Sequence, residues 1–426
     1  MSLIKIGFWI SLLCLIPGLL IRIPVGGAGI LLLDVILPIF IGIWWIYRLI
    51  IKRTIDLNTH FLLGMVFLLV ATGSWIYGAW DLAVKEKIIS ASYLIRFFSL
   101  ISFGLIAREL YSTKQILPPS QSPIHHLLFL NKLYWILFII ILIGYLQFYL
   151  FPDISDFSTV GGFDPHIGRF LGTWMDPNFV AGLLGFWIPI MIGDWYSRNK
   201  SCRKRMLAVL ILLCLYAVFL TFSRSGYLAA GFGLVIFFFL RDPKVILIGT
   251  VIVMLGITLN PRAQKRVGEL GGTLANVLLQ ETDEIDPTAS LRIISWGRTL
   301  TLWEKHPIFG IGYNTFRYKA AEEGIVEEEY FSSGGSDSSL LTVLVTTGTV
   351  GLFFFCLWYG WMIVKSWMAF WRIRTGCSKN QLIGESIHLG LFSGLCSILV
   401  HSLFVNSLLF PLILLGIVSL FSILEE

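Results

Sequence analysis

The chain has 426 residues, of which 56% are hydrophobic and 14% charged, and it carries a net charge of +6. A water-exposed surface needs about 25% charged residues, so a soluble globular fold is excluded. A mean hydropathy of +0.80 points to the bilayer instead. The excess positive charge then reads as lysine and arginine retained in cytoplasmic loops rather than as a nucleic-acid footprint. The six cysteines show neither C-x-x-C spacing nor a histidine at ligand distance, so no zinc site and no disulfide framework is expected.

Apolar runs fall at about 5–22, 28–50, 60–80, 88–108, 127–151, 178–196, 206–222, 225–240, 244–260, 339–365, 384–405 and 407–424. A hydrocarbon layer of about 30 Å takes roughly 20 helical residues. The sequence therefore predicts an all-α polytopic membrane protein of about twelve transmembrane helices. The stretch through Thr221-Phe222-Ser223-Arg224-Ser225-Gly226 is too long for one span and is expected to turn there. With the N-terminus inside, the short cytoplasmic segments hold eighteen lysines and arginines against five in the short outer ones. That bias places both termini in the cytoplasm. Three regions follow: helices 1–9 over residues 1–260, an extracytoplasmic loop over 261–338, and helices 10–12 over 339–426.

Within the long loop, Asp286-Pro287-Thr288 opens a helix signal that His306-Pro307 stops. Ile293, Trp296, Leu300 and Trp303 share one helical face. Such a helix is expected to lie along the outer membrane surface. Asp176-Pro177-Asn178 reads as an N-cap with proline at the first helical position. Trp44, Trp45, Trp75 and Trp80 read as interface belts, and Asp34 as an ionisable group inside span two.

Three arginines stand at outer helix mouths, where the retention of cations inside makes them unusual: Arg169, Arg224 and Arg292. Each presents a planar fork suited to phosphate, and Arg224 adds the free amides of a helix N-terminus. Converging, they would bind a diphosphate without a metal. The alternative is snorkelling, or pairing with Asp164, Asp176 or loop glutamates. Asp337, in Gly335-Ser336-Asp337-Ser338-Ser339, is either an N-cap carboxylate or a general base for an acceptor hydroxyl.

These motifs together resemble the O-antigen polymerase and O-antigen ligase superfamily of bacterial envelope glycan assembly. The resemblance rests on Arg169…Gly172-Thr173…Pro177-Asn178, on Leu220-Thr221-Phe222-Ser223-Arg224-Ser225-Gly226, on Arg292…Trp296…His306-Pro307-Ile308-Phe309-Gly310-Ile311-Gly312, and on Asp337-Ser338-Ser339-Leu340-Leu341…Thr347-Gly348-Thr349-Val350-Gly351-Leu352. It implies a metal-independent, C-type membrane glycosyltransferase without a cofactor. The implied donor is a glycan on undecaprenyl diphosphate, held by Arg169, Arg224 and Arg292, and transfer would invert the anomeric centre. Arg224, Arg292 and Asp337 are the implied catalytic residues. Ligases of this superfamily carry histidine where this chain has Asp337, which favours a polymerase acting on a lipid-linked repeat over a ligase acting on a lipid or protein acceptor. A chain-length regulator and a flippase are the implied partners, and the bacterial cytoplasmic membrane the implied location. A transporter or flippase of lipid-linked glycan is the alternative from another class. Transporters place charges at the midplane in repeated halves, whereas the charged candidates here lie at outer helix mouths.

Overall fold

The computed structural model describes residues 2–25, 28–111, 122–156, 166–198, 201–262, 264–265, 268, 287–325, 335–375 and 382–425. Asp164, Asp286 and Cys377 lie outside these residues. The described residues form fourteen α-helices: α1 (Ser2–Leu13), α2 (Leu32–Ile46, continued as a π-turn over Tyr47–Lys52), α3 (Thr59–Gly78), α4 (Val84–Tyr111), α5 (Ser122–Leu150), α6 (Pro177–Ser197), α7 (Ser201–Leu220), α8 (Arg224–Arg241), α9 (Lys244–Thr258), α10 (Pro287–Lys305), α11 (Phe316–Glu322), α12 (Ser339–Thr375), α13 (Leu382–Ser402) and α14 (Pro411–Leu424).

The protein is a polytopic membrane protein. Seven helices among the described residues are long and apolar enough to cross a bilayer. All twelve expected apolar runs contain a helix, but α1, α9 and α14 are short. α1 stops at Leu13 because the chain turns at Pro17-Gly18, where Gly18 has φ of 55°. There the amides of Leu19 and Leu20 both bond Thr173 O at 3.0 Å. α14 has 14 residues, about 21 Å of rise against a 30 Å core. A two-stranded antiparallel hairpin, β1 (Arg22–Val25) and β2 (Ala28–Leu31), departs from the all-helical expectation.

α6 is the centre of the bundle and is buried along most of its length. It lies against α13 so closely that a Cβ on Gly193 would come within 2.1 Å of Ser386 O. Small residues let membrane helices approach in this way, where no hydrophobic effect drives them together. Three of the tryptophans expected in interface belts tie helices instead. Trp44 Nε1 donates to Glu109 at 3.0 Å, Trp45 Nε1 to Ser102 at 3.1 Å and Trp75 Nε1 to Ser90 at 2.8 Å. Trp80 alone of the four is open to the surroundings. Asp34 occupies the first turn of α2, where it accepts from Leu31 N at 2.9 Å and pairs with Arg96 of α4 at 2.6 and 2.5 Å.

The feature that fixes the site is a break in α12. Gly348 has φ 69° and ψ −173°, a region open essentially only to glycine. The break strands two amides and two carbonyls of the helical ladder, and segment 307–312 satisfies all four. Thr349 N donates to Pro307 O at 2.9 Å and Val350 N to Ile308 O at 3.3 Å. In return Val345 O accepts from Ile311 N at 2.9 Å and Thr346 O from Gly312 N at 3.1 Å. The Ser74 hydroxyl of α3 lies 2.7 Å from both Phe309 O and Thr346 O. The segment just after α10 is thus spliced into α12.

A Cβ at position 348 would stand 2.0 Å from Ile308 O, whereas one at Gly360 of the same helix meets nothing within 4 Å. Gly348→Ala should therefore destabilise the protein by about 2 kcal/mol or more. Gly360→Ala should be neutral or slightly stabilising. Thermal melting of the two purified variants in detergent checks both.

Candidate active site at the helix mouths

The N-termini of α6, α8 and α12 and the C-terminus of α13 meet at one place, roofed by α10. Each opens with a polar cap because the first amides of a helix have no partner within it. At α6 the Asp176 carboxylate accepts from Asn178 N at 2.6 Å and Phe179 N at 3.3 Å, with Pro177 at the first helical position. At α8 the Ser223 hydroxyl accepts from Gly226 N at 3.2 Å and donates to Asn178 Oδ1 at 2.7 Å, joining the two mouths. The chain reaches α8 through a sharp turn in which Phe222 has φ of 49°. The expected break at 221–226 falls there.

α12 is capped by Ser338. Its hydroxyl lies 3.5 Å from Leu341 N and donates to Ser402 O of α13 at 3.2 Å. Asp337 stands one residue before the cap, so the N-cap reading of this carboxylate gives way to Ser338. The backbone amide of Asp337 bonds Ser295 Oγ of α10 at 3.4 Å, one helical turn from Arg292. The expected loop helix is present, and its apolar stripe, expected toward lipid or bundle, is divided between the two sides. Thr299 and Leu302 are buried, Arg292, Ser295, Trp296 and Trp303 are half-buried, and Ile293 and Leu300 face outward. Leu302 packs with Ile311, Phe316 and Val345, so contact with the spliced segment decides which face turns inward.

The three arginines enter from different elements. Arg169 donates from Nε to Thr221 O at 2.8 Å, with Nη2 3.5 Å from Phe222 O. Part of its fork thereby holds carbonyls at the C-terminal end of α7, a favourable place for a cation. Arg292 acts electrostatically on Asp176 and on His401, and Arg169 acts on Asp176. Burial pushes the Asp176 carboxyl up, opposed by the amide of Asn178 and then by Arg169, Phe179 N and Arg292. Arg224 is the first residue of α8, between Ser223 and Ser225. Arg169 and Arg292 both lie within electrostatic reach of the Asp176 carboxylate, and Arg224 adjoins in the chain the hydroxyl that bridges to α6. Asp337 connects to the group through α10.

Two groups here were missed in the sequence. His401, near the end of α13, is fully buried with Nε2 3.5 Å from Ser225 Oγ. A titratable residue inside an apolar run was the available signal. Asn178 was read only as part of a cap, yet its side chain links α6 to α8. Among the described residues no three His, Cys, Asp or Glu side chains come together so as to hold a metal ion. What the arrangement supplies is a set of helix N-termini, guanidinium groups and one carboxylate, chemistry suited to an anion with a nearby base.

The capping geometry separates the roles of neighbours. Ser338→Ala should cost about 1 kcal/mol of stability. Asp337→Asn should cost less stability than Ser338→Ala in thermal melting, whatever it does to activity.

No curated protein matches the chain. Residues 208–356 match the model of the O-antigen ligase family. The matched stretch runs from α7 into α12, so it contains Arg224, Arg292 and Asp337 but neither Arg169 nor the first six helices. The protein is therefore a multi-pass membrane protein that carries an O-antigen ligase family domain over about a third of its length, which places it among membrane enzymes of polysaccharide transfer.

Proposed function

We propose that the protein is a polysaccharide polymerase that transfers glycan from undecaprenyl diphosphate to a lipid-linked repeat unit. The observation that carries this reading is the meeting of three helix N-termini at the Ser223–Asn178 bridge, with Arg224 opening one of them and Arg169 and Arg292 both in electrostatic reach of Asp176. In the proposed reaction the acceptor hydroxyl oxygen bonds to the anomeric carbon of the donor. The bond from that carbon to the diphosphate oxygen breaks, and the diphosphate leaves with the electron pair. The hydroxyl proton passes to Asp337, whose position before the cap leaves the capping task to Ser338. Arg224, Arg292 and the amides opening α8 stabilise the charge gathering on the diphosphate, which is the larger part of the acceleration. Attack opposite the leaving group inverts the centre. Aspartate rather than histidine at position 337 favours the polymerase over transfer to a lipid or protein acceptor.

The same reading includes the topology. Twelve spans, with α1, α9 and α14 as short ones, put both termini in the cytoplasm and residues 261–338 outside. Support comes from the helix mouths of α6, α8 and α12, which lie on one face as that topology requires. The active site would then work on the extracytoplasmic face of the bacterial cytoplasmic membrane, beside a flippase and a chain-length regulator.

Reconstitution with lipid-linked repeat units tests the reaction: lengthened lipid-linked chains are expected, and product on a separate acceptor would assign a ligase. Arg224→Ala and Arg292→Ala should each lower kcat/KM by about 10²–10³-fold. Unchanged turnover in either would remove the diphosphate site. For the topology, Trp80→Cys, at a residue 82% exposed, should be labelled in intact cells by a maleimide that cannot cross the membrane. Labelling only after lysis would reverse the orientation.

A further inference from the structure

Beside the helix mouths lies a cavity of about 250 Å³. It runs from the ends of α6, α12 and α14 toward the middle of α4. Such a volume is slightly below the usual range of small-ligand pockets, roughly 300–1,000 Å³. It suits one or two rings better than a long chain.

Its wall is mixed. Phe179 and Phe410 stack at 4.0 Å with an interplanar angle of 12° and form one side. Opposite them stand Tyr93 and Arg96 of α4, with the guanidinium 4.1 Å from the Tyr93 ring. Asn406 and Thr342, whose Oγ1 bonds Ser336, both stand beside Gly335, two residues before Asp337.

One polar atom of this wall is buried without a protein partner among the described residues, and one guanidinium keeps part of its surface open. Asn406 Oδ1 is buried without a hydrogen bond. Arg96 uses Nε and Nη2 on Asp34, at 2.6 and 2.5 Å, and its Nη1 bonds no described residue. An unmet buried polar group costs about 1–3 kcal/mol. Asn406 therefore points to a polar occupant, and the open edge of Arg96 can donate to it.

The charge narrows its class. Asp34 neutralises Arg96 through a bidentate pair, so the cavity offers donors and acceptors but little net charge. A second diphosphate would find the lining's one guanidinium already neutralised. A polyprenyl tail would leave Asn406 and Arg96 facing hydrocarbon. A neutral sugar ring matches both halves of the wall, with C–H faces against the aromatic rings and hydroxyls toward Asn406, Arg96 and the threonines.

We propose that this cavity is the acceptor subsite and takes an uncharged sugar of the acceptor glycan. Arg96, held by Asp34, and Asn406 are its positioning residues. The assignment rests on the glycan-transfer reading above. It places the acceptor hydroxyl between the cavity and Asp337.

The test is equilibrium binding to the full protein in nanodiscs, with two probes. One is the lipid-free, uncharged oligosaccharide released from the cell's own lipid-linked repeat unit, and the other is undecaprenyl diphosphate. Asn406→Ala and Arg96→Lys should each weaken oligosaccharide binding tenfold or more and leave undecaprenyl diphosphate binding within twofold, with thermal melting confirming that both variants fold. Oligosaccharide binding that is absent in the parent, or unchanged in both folded variants, overturns the proposal. A loss that falls on undecaprenyl diphosphate instead overturns it too and assigns the cavity to the donor. If the parent binds the oligosaccharide with the expected losses but does not bind undecaprenyl diphosphate, the donor reading fails and the sugar subsite stands.

Discussion

The arrangement depends on one backbone exchange. At Gly348 the ladder of α12 is broken, and segment 307–312 takes up the amides and carbonyls that the break exposes. Backbone groups left unpaired within a membrane are costly, so the break and the segment require each other. The exchange has a geometric result. α10, which carries Arg292, is pinned at its C-terminal end to the helix whose N-terminus follows Asp337. Without it, the two residues would stand on a surface loop and a helix free to move apart.

A second constraint comes from helix ends. Three helices begin at the same place, and each presents amides that need an acceptor. The chain answers with Asp176, Ser223 and Ser338, all short side chains that cap without covering the mouths. The partial positive charge of three N-termini then adds to that of the arginines. In the proposed topology this puts a cationic site on the face where membrane proteins usually hold few cations. Asp176, the carboxylate on which both Arg169 and Arg292 act, offsets part of this charge. In the proposed reaction the donor diphosphate would take over part of that role.

Much of this was legible in the sequence. Every helix in the twelve apolar runs announced itself by hydropathy, and the turn at 221–226 by Arg224 and Gly226 in an otherwise apolar stretch. The cap at Asp176 was readable because Asp-Pro-Asn is a local signal. What escaped was non-local. The face of α10 that turns inward is set by Ile311 and Val345, not by its own apolar spacing, so Thr299 and Ser295 are covered while Ile293 and Leu300 are not. Asp337 looked like a cap because caps and the residues before them share one vocabulary, and a shift of one residue gives the task to Ser338. Asp34 was visible as a carboxylate in an apolar run, but its partner Arg96 is 62 residues away. The hairpin at residues 22–31 had too few residues to announce a strand period.

The central claim is that Arg224 and Arg292, from two different elements, hold one and the same group. A double-mutant cycle on kcat/KM with a lipid-linked donor measures this most directly. If both grip one diphosphate, losing the second arginine after the first should cost far less than losing it alone. The double variant should then fall well short of the product of the single losses. Losses that multiply independently would mean that the two arginines serve separate ends and that no shared diphosphate site exists.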